Sequence, residues 1–549
     1  MNEEMKVFIN NQEYTYPRDT TLREISQSFA GNFKHPIILA KVNESIKELA
    51  RIPENNSQIE FFDLTNKVAN RTYVAGLVFL IQYTVKELYG KKDDIILHHS
   101  IDKGLLIETT FSLTEEKLKE IEDKMHEVVK QDLPIKKLAV DRVEASNYFK
   151  KIGDLSKVGT LKYNTNNIVS LYKLGNIYNY FYTYMPVSTK CLDEFAFTYI
   201  NENRFILRYP TVYQSDTIKE YVHHEKLYKA FELCNDFNKR TGIENGSDIN
   251  NIVSCGWVDE MIRLNEAVYN KILIDLAVEI TSHKEISIVL MAGPSSSGKT
   301  TVSKKLKTFI NGQAVRVYSI SMDDFFKEKM DTPKIDGKYD FESLDAVDLE
   351  LFDTTMAKLL NYEEVEMPTY NFITGKKEFR EKIKLNEEDV LIIEGIHALD
   401  TKILQNIPKE KKYKIYLSPL TELNVDNHNK ISTTDNRLLR RIVRDNRTRG
   451  YDVEQSLAAW DDVRAGEEKY IFPFQDEADY VFNSGEIYEI GVLKTYVEPL
   501  LYNVDIGSPH YEEAKRLINF LRAFLPIPSD AIPKDSVLRE FIGGSCYHD

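Results

Sequence analysis

Cysteine, tryptophan and long apolar runs are all scarce in this chain of 549 residues. Its four cysteines lie at positions 191, 234, 255 and 546, and no Cys-x-x-Cys pair offers the spacing of a metal or redox site. The longest purely apolar stretch, near residues 77–81, is far shorter than the ~20 residues that span a membrane. Scattered thiols and the lack of a basic, apolar leader favour a cytoplasmic protein without a membrane span.

An excess of positive charge is also missing. Lys and Arg total 71 against 86 Asp and Glu, which gives a formal net charge of −15. Because neutralisation of phosphates dominates nucleic-acid affinity, this balance disfavours a duplex-binding surface over the whole chain and leaves a local basic patch open. The 42% apolar and 29% charged residues are typical of globular domains, and the length predicts three or four of them.

The first 64 residues predict a small α+β domain. Short β-like runs at 6–9, 37–42 and 59–62 accompany one helix at 22–28, which Thr20 and Thr21 can cap. The segment from Ala40 through Asn43-Glu44 to Asp63 resembles the second half of a TGS domain, the β-grasp module at the front of threonyl-tRNA synthetases. The resemblance implies a β-grasp fold for residues 1–64, with an Asn-Glu turn that joins two paired strands.

Residues 65–210 resemble the second accessory domain of threonyl-tRNA synthetases, which in those enzymes hydrolyses mischarged tRNA. The resemblance rests on a helix around 83–90, a strand through His98 and His99, a charged helix at 114–131 and an aromatic run at 175–185. Where that family holds zinc, this chain has Ala75, Phe79, Phe181 and Met185, none of which is a zinc ligand. We therefore expect an α+β domain without editing activity, whose contact with RNA is an open question. Residues 211–284 predict a helical connector.

A glycine-rich loop carries the strongest chemical signal. An apolar run at 285–292 predicts a buried strand, and a helix is predicted from Lys299 onward. The loop between them, at 293–300, matches the P-loop pattern in the strand, loop and helix context that the motif requires. The predicted ATP-binding residues here are Gly293, Pro294, Ser295, Ser296, Ser297, Gly298, Lys299, Thr300 and Thr301. We expect Lys299 to reach the β- and γ-phosphates and Thr300 to bind Mg²⁺.

Acidic residues follow two further predicted strands. The strand at 314–321 leads to Asp323, and the strand at 389–397 contains Glu394 followed by glycine. Ligands bind outside the carboxyl ends of such strands, where a carboxylate can accept the proton of a hydroxyl group. The segment around Asp323 resembles the Asp-Ser-Phe-Tyr segment of uridine kinases, in the uridine kinase and phosphoribulokinase family. The resemblance implies that Asp323 is the catalytic base beside Lys299, and that Glu394 holds Mg²⁺ directly or through water.

Two segments between these strands resemble the acceptor wall of uridine kinases. Residues 339–348 resemble Asn-Phe-Asp-His-Pro-Asp-Ala-Phe-Asp, which implies that Glu342 binds ribose hydroxyls. Residues 367–372 resemble Pro-x-Tyr-Asp-Phe, which implies that Tyr370 packs on the nucleobase. Uridine enzymes carry a base-reading histidine five residues further along, where this chain has Gly375. Since hydrogen bonds to a base give strong selectivity, uridine specificity stays open.

Six arginines occur within the thirteen residues 437–449. Their spacing lines one helix face with guanidinium groups, which suit phosphate oxygens. A solvated basic helix and an RNA-binding patch are the alternative interpretations. The family resemblance implies a lid, with Arg437 near the acceptor and Arg440, Arg444 and Arg449 on the ATP phosphates.

The sequence thus predicts a multidomain α+β and α/β protein. A P-loop α/β kinase domain with a parallel sheet occupies residues 285–490, and a helical tail occupies 491–549. The expected function is Mg²⁺- and ATP-dependent phosphorylation of the 5′-hydroxyl of a uridine- or cytidine-like nucleoside. The alternatives are a kinase for another sugar or alcohol, as in phosphoribulokinases, and an ATP-switched adaptor for RNA or ribosomes. Editing of tRNA is the least favoured function.

Overall fold

The computed structural model of the chain describes residues 4–335, 337–371, 374–421 and 423–547. Its first part is a five-stranded mixed sheet of order β2-β1-β5-β3-β4, in which only β1 and β5 pair in parallel. The elements are β1 (Glu4–Ile9), β2 (Gln12–Pro17), α1 (Leu22–Gln27), β3 (Leu39–Val42), β4 (Ser45–Glu48) and β5 (Ser57–Phe62). A capping box between Thr21 and Glu24 begins α1, and Asn43, at a φ of +54°, turns the chain between β3 and β4.

Residues 67–208 form two antiparallel sheets, β10-β9-β8 and β11-β12-β7-β6, with four helices. The elements are α2 (Lys67–Leu88), β6 (Ile95–Ile101), β7 (Gly104–Thr109), α3 (Glu115–Lys130), β8 (Ile135–Asp141), α4 (Arg142–Ile152), α5 (Leu155–Lys162), β9 (Ile168–Leu174), β10 (Ile177–Asn179), β11 (Ala196–Asn201) and β12 (Arg204–Arg208).

The four positions aligned with zinc ligands meet in the core of this second region. Phe79, Phe181 and Met185 are buried in one apolar cluster, and Ala75 packs against it. The ring centroids of Phe79 and Phe181 lie 5.4 Å apart. Apolar side chains thus fill the place where the synthetase domain that residues 65–210 resemble would hold its zinc ion.

The segment predicted as a connector is helical and packs closely on the region that follows it. Its helices are α6 (Glu225–Thr241), α7 (Gly246–Cys255) and α8 (Val258–Ser282). Phe231 of α6 is buried with one face of the P-loop sheet, and Ile262 and Leu273 of α8 are buried with the other. These helices therefore form part of the core around the P-loop sheet.

The sheet that carries the P-loop is parallel, as the sequence predicted, with strand order β14-β19-β13-β20-β23. The elements of this region are β13 (Ile288–Ala292), α9 (Lys299–Asn311), β14 (Val317–Ser321), β15 (Lys334–Ile335), β16 (Lys338–Tyr339), α10 (Leu349–Leu360), β17 (Val365–Asn371), β18 (Lys376–Ile383), β19 (Val390–Glu394), β20 (Lys412–Ser418), β21 (Asn424–Asp426), β22 (Asn429–Lys430), α11 (Thr433–Thr448), α12 (Val453–Tyr470) and β23 (Tyr480–Asn483).

Three helices complete the described chain: α13 (Glu489–Leu501), α14 (Tyr511–Leu521) and α15 (Arg539–Ile542). Leu493, Leu517 and Phe541 from these helices are fully buried in the cluster that includes the P-loop strand. No helix in the described ranges is both long and apolar enough to cross a membrane.

Candidate active site

The P-loop follows β13 and wraps around the start of α9. A Cβ at Gly293 would lie 2.1 Å from the carbonyl oxygen of Leu417, so only glycine fits where the loop leaves the sheet. Ser296 and Gly298 adopt left-handed φ angles of +60° and +89°, and Gly298 caps α9. Consecutive residues in such turns point their N–H groups inward, which forms an anion-binding concavity at a helix N-terminus. The Nζ of Lys299 donates to the carbonyl of Gly293 at 2.9 Å.

Parallel pairing brings the predicted acids to the same edge of the sheet. Met291 of β13 and Ser321 of β14 both pair in register with Glu394 of β19. A short 3₁₀ helix after Ser321 then carries Asp323. The P-loop, the predicted base and the predicted metal ligand therefore meet at the carboxyl ends of three neighbouring strands.

Asp323 and Glu394 both interact with the P-loop lysine. Asp323 is open to solvent in the cleft, yet the protein around it excludes enough water to raise the pKa of its carboxyl, against the opposing charges of Lys299, Arg449 and Arg444. Desolvation also raises the pKa of Glu394, to about 7, although Lys299 favours its ionised form. A cation bound at this edge would favour ionisation of both carboxyls.

Glu342 stands on the other side of the cleft, against helix α12. A Cβ at Gly466 would lie 2.9 Å from the Cβ of Glu342, so the helix can approach only because residue 466 is glycine. Burial raises the pKa of the Glu342 carboxyl to about 7, and Arg441 and Lys299 oppose that shift. Glu342 thus shares its electrostatic surroundings with the P-loop, although 43 residues separate it from Lys299 in sequence.

Aromatic side chains form the wall around Tyr370, which lies on β17. The ring centroids of Phe326 and Phe341 lie 5.8 and 6.5 Å from that of Tyr370. The backbone N–H of Tyr370 donates to Asp324 at 3.3 Å, which ties the hairpin to the segment of the predicted base. Phe372, the last residue of the predicted motif, lies outside the described residues.

Gly375 occupies a position that has no room for a side chain. Its φ is +67°, and a Cβ there would lie 2.7 Å from the Cβ of Lys329. The turn also contacts the segment that contains Lys329, since the backbone N–H of Lys329 donates to the carbonyl of Gly375 at 3.0 Å. A histidine cannot be accommodated at this place without rearrangement of the backbone.

Helix α11 presents its arginines to the site in two layers. Arg437 and Arg440 are buried: Arg437 donates to the Ser295 carbonyl at 3.0 Å, and Arg440 pairs with Glu489 at 2.5 Å. Both contact the P-loop itself, since Arg440 also donates to the carbonyl of Ser296 at 3.5 Å, and their places at the acceptor and at the ATP phosphates stay a prediction. Arg444 and Arg449 lie nearer the cleft, as their effect on the pKa of Asp323 indicates.

Several residues of this site were not predicted. Glu467 on α12 is fully buried, accepts from the backbone N–H of Ser295 at 3.1 Å, and pairs with Arg437. Asp445, also fully buried, pairs with Arg441 at 3.2 Å and with Arg444 at 2.8 Å. Arg441 itself donates to the Ser295 side chain at 3.0 Å. The signal for these acids was the arginine run itself, because buried guanidinium groups require carboxylate partners.

The donor set fits a nucleotide with Mg²⁺. The concave loop offers N–H groups and Lys299 to phosphates, while Thr300 and Glu394 offer oxygen ligands. Among the described ranges no group of three or more His, Cys, Asp or Glu residues could hold a metal ion alone. Such a sparse set suits Mg²⁺, which keeps several waters and takes one or two protein ligands together with phosphate oxygens.

Comparison with known proteins assigns the region around the P-loop to a family. Residues 288–490 match the profile of the Phosphoribulokinase / Uridine kinase family. A uridine kinase from Staphylococcus haemolyticus (strain JCSC1435) is 30% identical over 203 residues, which cover 36% of this chain and 88% of that protein. A uridine kinase from Anoxybacillus flavithermus is 29% identical over 206 residues, 37% of this chain and 88% of that protein.

A solved structure of D-glycerate 3-kinase from Cryptococcus neoformans covers 49% of this chain and 89% of its own length, with 14% identity and a TM-score of 0.22. The family assignment depends on the sequence matches and on the P-loop at the edge of a parallel sheet. This chain belongs to the phosphoribulokinase and uridine kinase family.

Proposed function

We propose that the chain is a nucleoside kinase that transfers the γ-phosphoryl group of ATP to the 5′-hydroxyl of a uridine- or cytidine-like nucleoside. The products are ADP and the nucleoside monophosphate. The observation that carries this proposal is the convergence of Asp323, Glu342 and Glu394 around Lys299, whose charge opposes the rise that burial causes in the pKa of each carboxyl. The relatives named uridine kinase support the same acceptor class.

Each side chain has a distinct role in this proposal. Asp323 orients the acceptor hydroxyl and accepts its proton, and Glu342 accepts hydrogen bonds from the sugar hydroxyls. Lys299 and the outer arginines, Arg444 and Arg449, neutralise charge on the phosphates. Thr300 and Glu394 would hold Mg²⁺, which would supply further neutralisation of phosphate charge. The outer end of α11, with Arg444 and Arg449, would shield the phosphates from water and so suppress hydrolysis of ATP, while the inner turns of the helix stay in the core.

Gly375 favours a second candidate acceptor class. With glycine at position 375, and no room there for a side chain beside Lys329, the histidine expected to recognise uracil is absent. A sugar or another alcohol would need no such group. The wall around Tyr370 can cover an apolar face of either kind of acceptor.

A panel of acceptors tests the proposal. ADP release from ATP is measured with uridine, cytidine, other nucleosides, and a set of sugars and sugar phosphates. Turnover with a pyrimidine nucleoside that exceeds the other acceptors supports the nucleoside kinase, while turnover with sugars alone identifies the second acceptor class. The matched variant is Asp323→Asn, which keeps the shape of the side chain and removes the base. We expect turnover to fall by roughly 10²–10⁴-fold while ATP still binds.

The front of the chain supports a second proposal, a TGS-like β-grasp domain at 1–64 and an editing-like domain at 65–210 without metal ligands. The strand order β2-β1-β5-β3-β4 with a single helix supports the first assignment, and the apolar cluster of Phe79, Phe181 and Met185 supports the second. Both resembled domains come from enzymes that act on tRNA, which suggests RNA as a partner. An adaptor role predicts salt-sensitive tRNA binding that survives Asp323→Asn, and loss of tRNA binding in that variant contradicts it.

A further inference from the structure

The end of the chain lies across the first turn of the P-loop helix. In residues 529–547, here called the tail, the Glu540 carboxylate accepts hydrogen bonds from Thr301. The backbone N–H of Thr301 donates at 3.2 Å and its hydroxyl at 2.7 Å, both to the same oxygen of Glu540. Thr301 is one of the residues predicted to bind ATP, so a carboxylate of the protein occupies donors that the phosphates of ATP need.

Packing holds the tail firmly in this place. Val537, Leu538 and Phe541 are fully buried in the core cluster that includes β13. A Cβ at Gly298 would lie 2.5 Å from a methyl carbon of Val537, so the tail contacts the glycine that begins α9. Asp535 pairs with Lys305 of the same helix at 3.2 Å.

The tail also contacts the arginine helix α11. Arg447 donates to the carbonyl oxygens of Glu540 at 2.7 Å and Phe541 at 3.0 Å. The guanidinium group of Arg440 lies 5.0 Å from the ring centroid of Phe541, a cation–π distance. One short segment thus joins the P-loop helix to the helix proposed as the lid.

Two anions cannot share the same pair of donors. A carboxylate at a helix N-terminus is favourable in the absence of ligand, because it satisfies free N–H groups and meets the positive end of the helix dipole. A phosphate that approaches the same turn finds these donors already occupied, and the negative charge of the carboxylate repels it.

We propose that Glu540 is an intramolecular competitor of nucleotide, and that ATP must displace its side chain from Thr301 in order to bind. The inference rests on the proposed binding of nucleotide at the P-loop, and not on the identity of the acceptor. Because the tail is anchored by its apolar residues, the Glu540 side chain is the part that moves. Nucleotide affinity is therefore set below the value that the P-loop alone would give.

Calorimetric titration with ADP tests this inference on the full chain. Glu540→Ala removes the competing carboxylate, and we expect the Kd for ADP to fall by at least about tenfold, since hydrogen bonds to charged groups are the strong ones. Glu540→Gln keeps the size of the side chain without its charge, and we expect an intermediate Kd. Asp530→Asn removes an acid from an exposed position of the same tail and should leave the Kd unchanged.

Each result has one meaning. Tighter binding in both Glu540 variants with no change in Asp530→Asn supports the competitor. An unchanged or raised Kd in Glu540→Ala overturns it, because the carboxylate would then be neutral to the nucleotide or part of its site. No binding of ADP to any variant overturns it as well. Since no acceptor is present, failure of the nucleoside proposal appears separately, in the acceptor panel.

Discussion

At Glu342, burial and the neighbouring carboxylates raise the pKa of the carboxyl, while the neighbouring cations lower it. Desolvation raises its pKa to about 7 from the usual 4.5, and the carboxylates of Glu467 and Asp323 act in the same sense. Arg441 and Lys299 favour ionisation but do not outweigh burial. At neutral pH the side chain is therefore divided between an acid that donates a hydrogen bond and an ion that accepts two.

This balance predicts a pH dependence of acceptor use. Only the ionised carboxylate accepts hydrogen bonds from both hydroxyls of a sugar, so kcat/KM for the acceptor should rise by roughly tenfold between pH 6 and 8. Glu342→Gln cannot titrate and should lower kcat/KM and remove this rise. Asp345→Asn, at an exposed position of the same segment, should keep it. A rise near pH 7 that persists in Glu342→Gln would assign the titration to another group.

The effect on stability has the opposite sign. Because the folded pKa of Glu342 lies above its unfolded value, the folded state binds this proton more tightly. The stabilisation is fully present below about pH 4.5 and is lost as the pH rises through 7. Above about pH 7 the ionised carboxylate of Glu342 therefore favours acceptor binding but lowers the stability of the fold. Such a conflict is common where burial shifts the pKa of a functional group.

At the scale of elements, helix α12 joins the P-loop to the arginine helix through one carboxylate. Glu467 is fully buried and accepts from the N–H of Ser295, while Arg437 and Arg464 pair with its two oxygens. Loss of the charge would leave the buried guanidinium group of Arg437 without its carboxylate partner, while Arg464 would keep Glu468. The loop that binds phosphate therefore depends on a helix more than 150 residues further along the chain.

Glu467→Gln keeps the volume of the side chain and removes its charge. We expect a loss of about 3–5 kcal/mol in the free energy of unfolding, because breaking a buried ion pair leaves an uncompensated charge. ADP affinity should fall too, since the neutral amide oxygen is a weaker acceptor than the carboxylate for the N–H of Ser295. The matched control is the neighbouring Glu468→Gln, whose more exposed carboxylate pairs with Arg464 and Lys103 at 3.3 Å and should contribute below about 1 kcal/mol. Equal losses in both variants, measured by urea unfolding, would contradict this account.

The elements of the P-loop sheet could be predicted from sequence where their apolar runs are continuous. Strands β13, β14 and β19 lie within the predicted ranges, since parallel strands are buried on both faces. Strand β20 was missed because Lys412 and Lys414 interrupt its first half, although it pairs directly with β13. The hairpin of β17 and β18 was also missed, since β18 is rich in charged residues and a proline interrupts β17.

The residues of the site likewise divide into those that the sequence could predict and those that it could not. The P-loop, Asp323 and Glu394 follow one another along neighbouring strands, and sequence order alone placed them together. Glu467 and Asp445 could not be found in this way, because their roles depend on how α11 and α12 pack against each other. The contact of Glu540 with Thr301 spans 239 residues and lay outside any local pattern.

At the scale of the whole molecule, a buried polar network joins residues 67–208 to the region that carries the arginine helix α11. Lys157 of α5 pairs with Asp426 of β21 at 2.7 Å, and neither side chain has any exposed surface. His428, in the turn that follows, lies 3.1 Å from Asp94. The hairpin of β21 and β22 directly precedes α11, so the front half contacts the element that leads into the arginine helix.

This network predicts that the two halves unfold together. Calorimetry of the full chain should show one cooperative transition, because separation of the halves would expose Lys157 and Asp426.

Lys157→Met leaves the charge of Asp426 buried without its ion-pair partner, which should cost about 3–5 kcal/mol and lower the thermal midpoint. Lys157→Met combined with Asp426→Leu should recover only part of that loss, since it removes the buried charge but leaves the backbone N–H of His428 and the side-chain amide of Asn429 without their acceptor. Lys151→Met, at an exposed position on α4, serves as the control and should change the midpoint little. Two separate transitions in the unmodified chain, or no recovery in the double variant, would show that the network does not couple the halves.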